Sequence, residues 1–192
     1  MSDFAFYFGL GWQHIISADA LDHQLFILAL AAVYTHQDIK KVLILVTAFT
    51  IGHSLTLALS VMDIIRVSGS WVEFLIPCTI LITALNNVIQ IDKQALSAKL
   101  NYYLALFFGL IHGMGFANSV RMMLAKDQSI GMGLFGFNIG LEIGQMLVVA
   151  IILLFAYIFI SLGRIQRRDW ILFLSAGVFA LALKMAIERL PL

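Results

Sequence analysis

The chain has 192 residues, of which 61% are hydrophobic and only 12% charged, and its formal net charge is +1. Soluble domains average about 45–50% apolar and about 25% charged residues, so a chain this short could not hide its apolar surface from water. The near-neutral balance gives no reason for a nucleic-acid partner. The single cysteine, Cys78, excludes an internal disulfide and reads as a small packing residue within a helix.

Met1–Trp12 carries no Lys or Arg and so lacks the basic flank of a secretory signal; the start of the chain is expected to belong to the mature protein. A first apolar stretch, Phe4–Ala18, runs into a polar knot, Asp19–Gln24, and a second, Leu25–Tyr34, ends at a loop over His36–Lys41. Longer segments follow at Val42–Met62, Trp71–Gln90, Tyr102–Met123 and Gly131–Leu162, and the loop Gly163–Asp169 leads into a last one, Trp170–Arg189. A helix needs about 20 apolar residues to cross a bilayer, and these segments have that scale. Trp71, Tyr102, Tyr103 and Trp170 stand at segment starts, where interfacial aromatics are expected.

The two leading stretches are each too short to span. The pattern predicts a short leading helix, a break at the Asp/His knot, and a membrane helix beginning near Asp22; a tight hairpin is the alternative, giving seven crossings. The expectation is therefore an all-α fold: a polytopic transmembrane helix bundle of about six membrane helices, with a short or broken N-terminal helix, forming one domain over residues 1–192. Lys40, Lys41, Lys93, Lys99, Arg164, Arg167 and Arg168 fall on one side of such a bundle, against Arg66, Arg121, Lys126, Lys184 and Arg189 on the other. The excess puts the first side in the cytoplasm, with the N-terminus, the knot and the C-terminus outward.

Ionisable groups in hydrocarbon are costly, so each marks a candidate site. If Asp19–Leu30 is helical, Asp19 and His23 lie at i and i+4 with Asp22 between them, on one face, and His14 precedes them. His53 sits mid-segment in Phe49-Thr-Ile-Gly-His53, and His112 mid-segment in Phe108-Gly-Leu-Ile-His112, on helices expected to run the same way. Asn138, Glu142 and Gln145 share one face of a helix by their i, i+4, i+7 spacing. Gly136, Gly140 and Gly144 mark a close helix–helix seam on roughly the opposite face. Asn86 and Asn87 fit either a cavity wall or a bond to a neighbouring helix. Imidazole with carboxylate suits borderline divalent ions such as nickel, cobalt and zinc, whereas copper(I) asks for sulfur and magnesium or calcium for oxygen alone.

The motifs Gly11-Trp-Gln-His14, Asp22-His23-Gln-Leu-Phe26, Phe49-Thr-Ile-Gly-His53-Ser-Leu-Thr, Phe108-Gly-Leu-Ile-His112-Gly-Met-Gly and Phe137-Asn-Ile-Gly-Leu-Glu142-Ile-Gly-Gln145 resemble the HupE/UreJ family in order and over nearly the whole chain. That resemblance implies a multi-pass protein of the bacterial inner membrane that is not an enzyme, a permease for nickel or cobalt associated with hydrogenase and urease accessory functions. It places the metal path at His14, Asp22, His23 and Glu142, with His53 and His112 as further motif residues. The expected ligand set is thus His14, Asp19, Asp22, His23, His53, His112, Asn138 and Glu142. The Ni2+ or Co2+ ion is cargo, no cofactor is expected to stay bound, and the implied partners are the lipid bilayer and nickel-enzyme maturation proteins. Oligomerisation is left open. The competing reading is an intramembrane zinc-dependent hydrolase, although no HExxH spacing occurs in the sequence.

Overall fold

The computed structural model describes residues 3–91, 98–116 and 130–191, and every regular element among them is helical. Helix α1 covers Asp3–Ile16 and, after a 3-10 turn at Ala18–Ala20, α2 covers Leu21–Ala31. A second 3-10 turn, His36–Asp38, leads into α3, Ile39–Val61; α4 is Gly69–Ile89, α5 Ala98–Gly115 and α6 Ile130–Ala156. Helix α6 continues as π-helical turns over Tyr157–Leu162, and α7, Arg167–Glu188, closes the chain.

Most segment ends fall within a few residues of the expected ones. Helix α3 starts earlier than the loop His36–Lys41 predicted, because Thr35 and Asp38 form a capping box and Lys41 reaches back to Asp38 at 2.7 Å. The part of Tyr102–Met123 beyond residue 116 lies outside the described residues, as do Lys93, Arg121 and Lys126.

Four helical stretches among the described residues are long and apolar enough to cross a membrane: His36–Val61, Gly69–Ile89, Gly131–Leu162 and Arg167–Glu188. The expected helix beginning near Asp22 is shorter than predicted, since α2 ends at Ala31, so neither leading half spans alone. Large apolar side chains such as Ile44, Leu55, Phe107, Phe135 and Phe173 point outward, while His53, Thr50, Gln145 and Ser175 are buried. Polar inside with apolar outside is what a lipid-facing bundle needs, because only the interior offers partners to polar groups.

Glycines set how the helices pair. A Cβ on Gly140 would collide with the carbonyl of Phe8, and one on Gly11 with the carbonyl of Phe137, so α1 and α6 touch backbone to backbone. Gly136 meets Phe4, Gly140 meets Phe8 and Gly144 meets Ile15, an order that makes the two helices parallel. Gly109 lies on Phe49 and Gly113 on His53, so α3 and α5 form a second parallel pair. Only glycine permits such approach, and dispersion between close backbones replaces the missing hydrophobic drive between helices in lipid.

Side-chain hydrogen bonds tie the pairs together. Thr47 donates to Glu142 at 2.8 Å and Thr50 to Gln145 at 2.7 Å, joining α3 to α6. Asn87 donates to the Ala29 carbonyl at 2.7 Å and reaches Ser175 at 3.3 Å, joining α4 to α2 and α7. Arg189, just past α7, pairs with Asp22 near the start of α2, while Arg167, at the other end of α7, bonds the Val33 carbonyl beyond α2. Helix α2 is therefore antiparallel to α7. It also continues along α6 in the direction of α1, with Ile15 beside Gly144 and Ile27 in the cluster of Val149 and Ile152. The leading helix is thus one broken helix and not a hairpin.

Candidate metal centre

The break in the leading helix creates the site. The 3-10 turn at Ala18–Ala20 interrupts the α-helical ladder, and α1 ends at Ile16 with carbonyls that have no helical partner. Gln24 turns back from α2 and donates to Ile15 O, at the end of α1, at 3.0 Å and to Ser17 O, just beyond it, at 2.9 Å. That cap fixes the angle between the halves and brings the last turn of α1 against the first turn of α2. The rings of His14 and His23 meet edge-on with centroids 4.5 Å apart.

His53 from α3 and His112 from α5 complete the group. The His53 ring lies 5.9 Å from His14 and 5.8 Å from His23, and His112 lies 5.3 Å from His23. One ligand atom each from His14, His23 and His53 falls within a mutual 4.8 Å. With bonds of about 2 Å, nitrogens around one ion stand roughly 3–4 Å apart, so small ring rotations would close the set. Phenylalanines wall it: Phe116 and Phe137 lie against His14, Phe137 stacks on His53, and Phe26 and Phe49 border His112.

His14 Nε2, His23 Nε2, both nitrogens of His53 and His112 Nε2 are buried with no hydrogen-bond partner among the described residues. An unsatisfied buried polar group costs about 1–3 kcal/mol, so several in one place call for a ligand that takes lone pairs. His112 Nδ1 faces the Phe108 carbonyl at 2.8 Å, and a proton held on Nδ1 there leaves Nε2 with its lone pair.

The structure does not draw every candidate into this group. Asp19 is exposed, because the 3-10 turn breaks the register that would have put it on the face of His23. Asp22 turns to Arg189, at 2.7 and 3.4 Å, and that carboxylate raises the guanidinium's pKa. Glu142 is half-buried on α6 and accepts from Thr47, and Asn138 Oδ1, one turn earlier, is buried without a partner. The remaining histidine, His36, is exposed and packs on Tyr157.

A family model described as HupE / UreJ protein matches residues 1–189, practically the entire chain. The chain belongs to the HupE/UreJ family. No curated protein and no solved structure gives a match. In this HupE/UreJ chain the motif histidines prove to be neighbours in space although they are spread over four helices. Sequence reasoning missed Gln24 and Arg189. Gln24 stood inside the polar knot and was legible as a helix-end cap, whereas nothing in sequence links Arg189 to Asp22.

Proposed function

We propose that this protein is an inner-membrane permease for a divalent transition-metal ion, nickel or cobalt, which passes through the imidazole group. The observation that carries the reading is the convergence of His14, His23 and His53, with unpartnered nitrogens, at the break of a helix. Discontinuous helices at mid-bundle are a recurring way for transporters to present ligands to an ion. Neutral imidazoles prefer borderline ions over magnesium or calcium.

The proposed topology counts α1 and α2 as one crossing in two halves, followed by α3, α4, α5, α6 and α7, six in all. Lys40, Lys41, Arg164, Arg167 and Arg168 then face the cytoplasm. Asp22, beside His23 and close to the outward end of α7 through Arg189, serves as the capture carboxylate. Cytoplasmic recipients would be nickel-enzyme maturation proteins.

A three-imidazole set also suits a hydrolytic zinc ion with an open position. That second reading is weaker, since the sequence has no HExxH spacing and its polar groups are spread over at least four segments. Liposomes containing only this protein test the choice across a panel of Ni2+, Co2+, Zn2+ and Mg2+. Saturable uptake of Ni2+ or Co2+, abolished in His23→Ala, is expected. Metal binding without flux, together with turnover of a lipid or peptide, would favour the hydrolase.

A further inference from the structure

On the side of the imidazoles towards the loops of Lys40 and Arg167 lies a layer of three phenylalanines. Phe26 stacks on Phe49 with centroids 4.7 Å apart and meets Phe108 edge-on at 6.0 Å. Phe26, Phe49 and Phe108 are 1%, 1% and 5% exposed, so the layer is closed. Its upper surface is His112, whose ring lies 5.3 Å from Phe26 and 5.0 Å from Phe49. Phe108, of the three, also lines a cavity of about 450 Å³ on the side away from the imidazoles.

The chemistry of that cavity differs from that of the histidines. Its polar lining consists of the amides Asn86, Asn87, Gln90 and Asn101 with Thr83 and Tyr34, and Arg167 and Arg168 stand among its lining residues. Among the described residues that line it there is no imidazole, thiol or carboxylate. Neutral amide oxygens resemble water as ligands and hold a borderline dication weakly.

Resting on the permease reading, we propose that this amide-lined cavity is the inner vestibule of the ion path, where the ion regains its water, and that the Phe26–Phe49–Phe108 layer is the barrier between it and the imidazoles. A narrow apolar layer blocks ions because it sheds water and offers no ligand. The arrangement also separates binding from release: strong nitrogen donors lie above the layer and weak oxygen donors below it. Conduction requires that a site not trap its ion, and a low-affinity chamber after the barrier meets that requirement.

The test uses the full chain in oriented vesicles with Cys78→Ser as background and a small, charged, membrane-impermeant methanethiosulfonate added from the side of the Lys40 and Arg167 loops. Asn86→Cys reports the vestibule and His112→Cys the far face of the layer. Asn86→Cys is expected to react at least ten-fold faster than His112→Cys while the three phenylalanines are intact. Adding Phe108→Ala is expected to raise the His112→Cys rate at least ten-fold, and Phe108→Leu, which keeps an apolar plug, is expected to leave it slow. Phe26→Ala opens the same layer from the opposite helix and replaces Phe108→Ala if that variant melts early by circular dichroism.

Equal reaction at both cysteines with the layer intact overturns the barrier, and an unreactive Asn86→Cys overturns the vestibule. Because the label needs no metal, the two readings fail separately. Metal uptake without differential labelling retains the permease and removes this inference. Differential labelling in a protein that moves no ion removes the permease and leaves an apolar barrier without its proposed cargo.

Discussion

Arg189 closes on Asp22 across 167 positions of sequence, with one guanidinium nitrogen 2.7 Å from Oδ2 and the other 3.4 Å from Oδ1. The pair ties the end of the last helix to the first turn of α2, one residue before His23. It also neutralises the carboxylate that a cation would otherwise meet first. In the proposed path, an arriving ion and the guanidinium would compete for the same oxygens.

Arg189→Gln removes that competitor. With Asp22 unneutralised, the dissociation constant for Co2+ is expected to fall roughly ten-fold, in line with a nearby unit charge at intermediate dielectric. Stability is expected to fall by about 1–2 kcal/mol, between the values for exposed and buried ion pairs, because both side chains keep some solvent exposure. Calorimetric titration and thermal melting measure the two quantities. Unchanged or weaker Co2+ binding would rule out the competition.

Gln24→Ala should disturb the metal centre without touching any ligand. It deletes both bonds to the end of α1, worth about 1–2 kcal/mol together. The angle between the half-helices is then free to change, so His14 and His23 lose their alignment. Co2+ affinity is expected to fall at least ten-fold, with a drop in Tm of a few degrees. Gln24→Glu, which has no donor when ionised, should not rescue it. Normal affinity in both variants would remove Gln24 from the role of positioning residue.

The glycine seams predict an unusual ranking of substitutions. Gly140→Ala, a single added methyl, meets the Phe8 carbonyl inside contact distance, whereas Ala150→Leu points to the outside of the bundle. The small change is expected to cost more than about 2 kcal/mol and the large one less than about 0.5 kcal/mol. Detergent melting curves of the two variants decide it, and equal melting temperatures would count against the seam.

Protons and metal ions compete for imidazole lone pairs, so acid must weaken binding. Lowering the pH far enough to protonate the buried rings is expected to weaken Co2+ binding, read by the visible absorption of the bound ion. His36→Ala should leave the profile unaltered, because that histidine stands apart from the other four. A Co2+ spectrum that persists unaltered until the fold itself melts would rule out imidazole ligands.

Much of the helical layout was legible in sequence because hydropathy over twenty residues averages out local detail. The broken leading helix was legible too, since no single helix tolerates Asp19, Asp22 and His23 amid apolar flanks without a reason. The partners of the break were not. Asp19 looked like a ligand only while an α-helical register was assumed, and the 3-10 turn shifts it to the outside. Gly136, Gly140 and Gly144 announced a seam by their spacing, but its counterpart, Gly11 on α1, carries no spacing signal of its own. The proximity of His53 to His14 is a tertiary fact that no local pattern encodes.

The glycine contacts have a mechanical consequence. Backbones in direct contact cannot slide past one another without collision, so α1 with α6, and α3 with α5, are each held in register as a unit. His14 belongs to the first unit, His53 and His112 to the second, and His23 to the half-helix beyond the break. Neither unit holds all three imidazoles of the cluster, so in the proposed path the set is complete only while the two units and the half-helix keep their places.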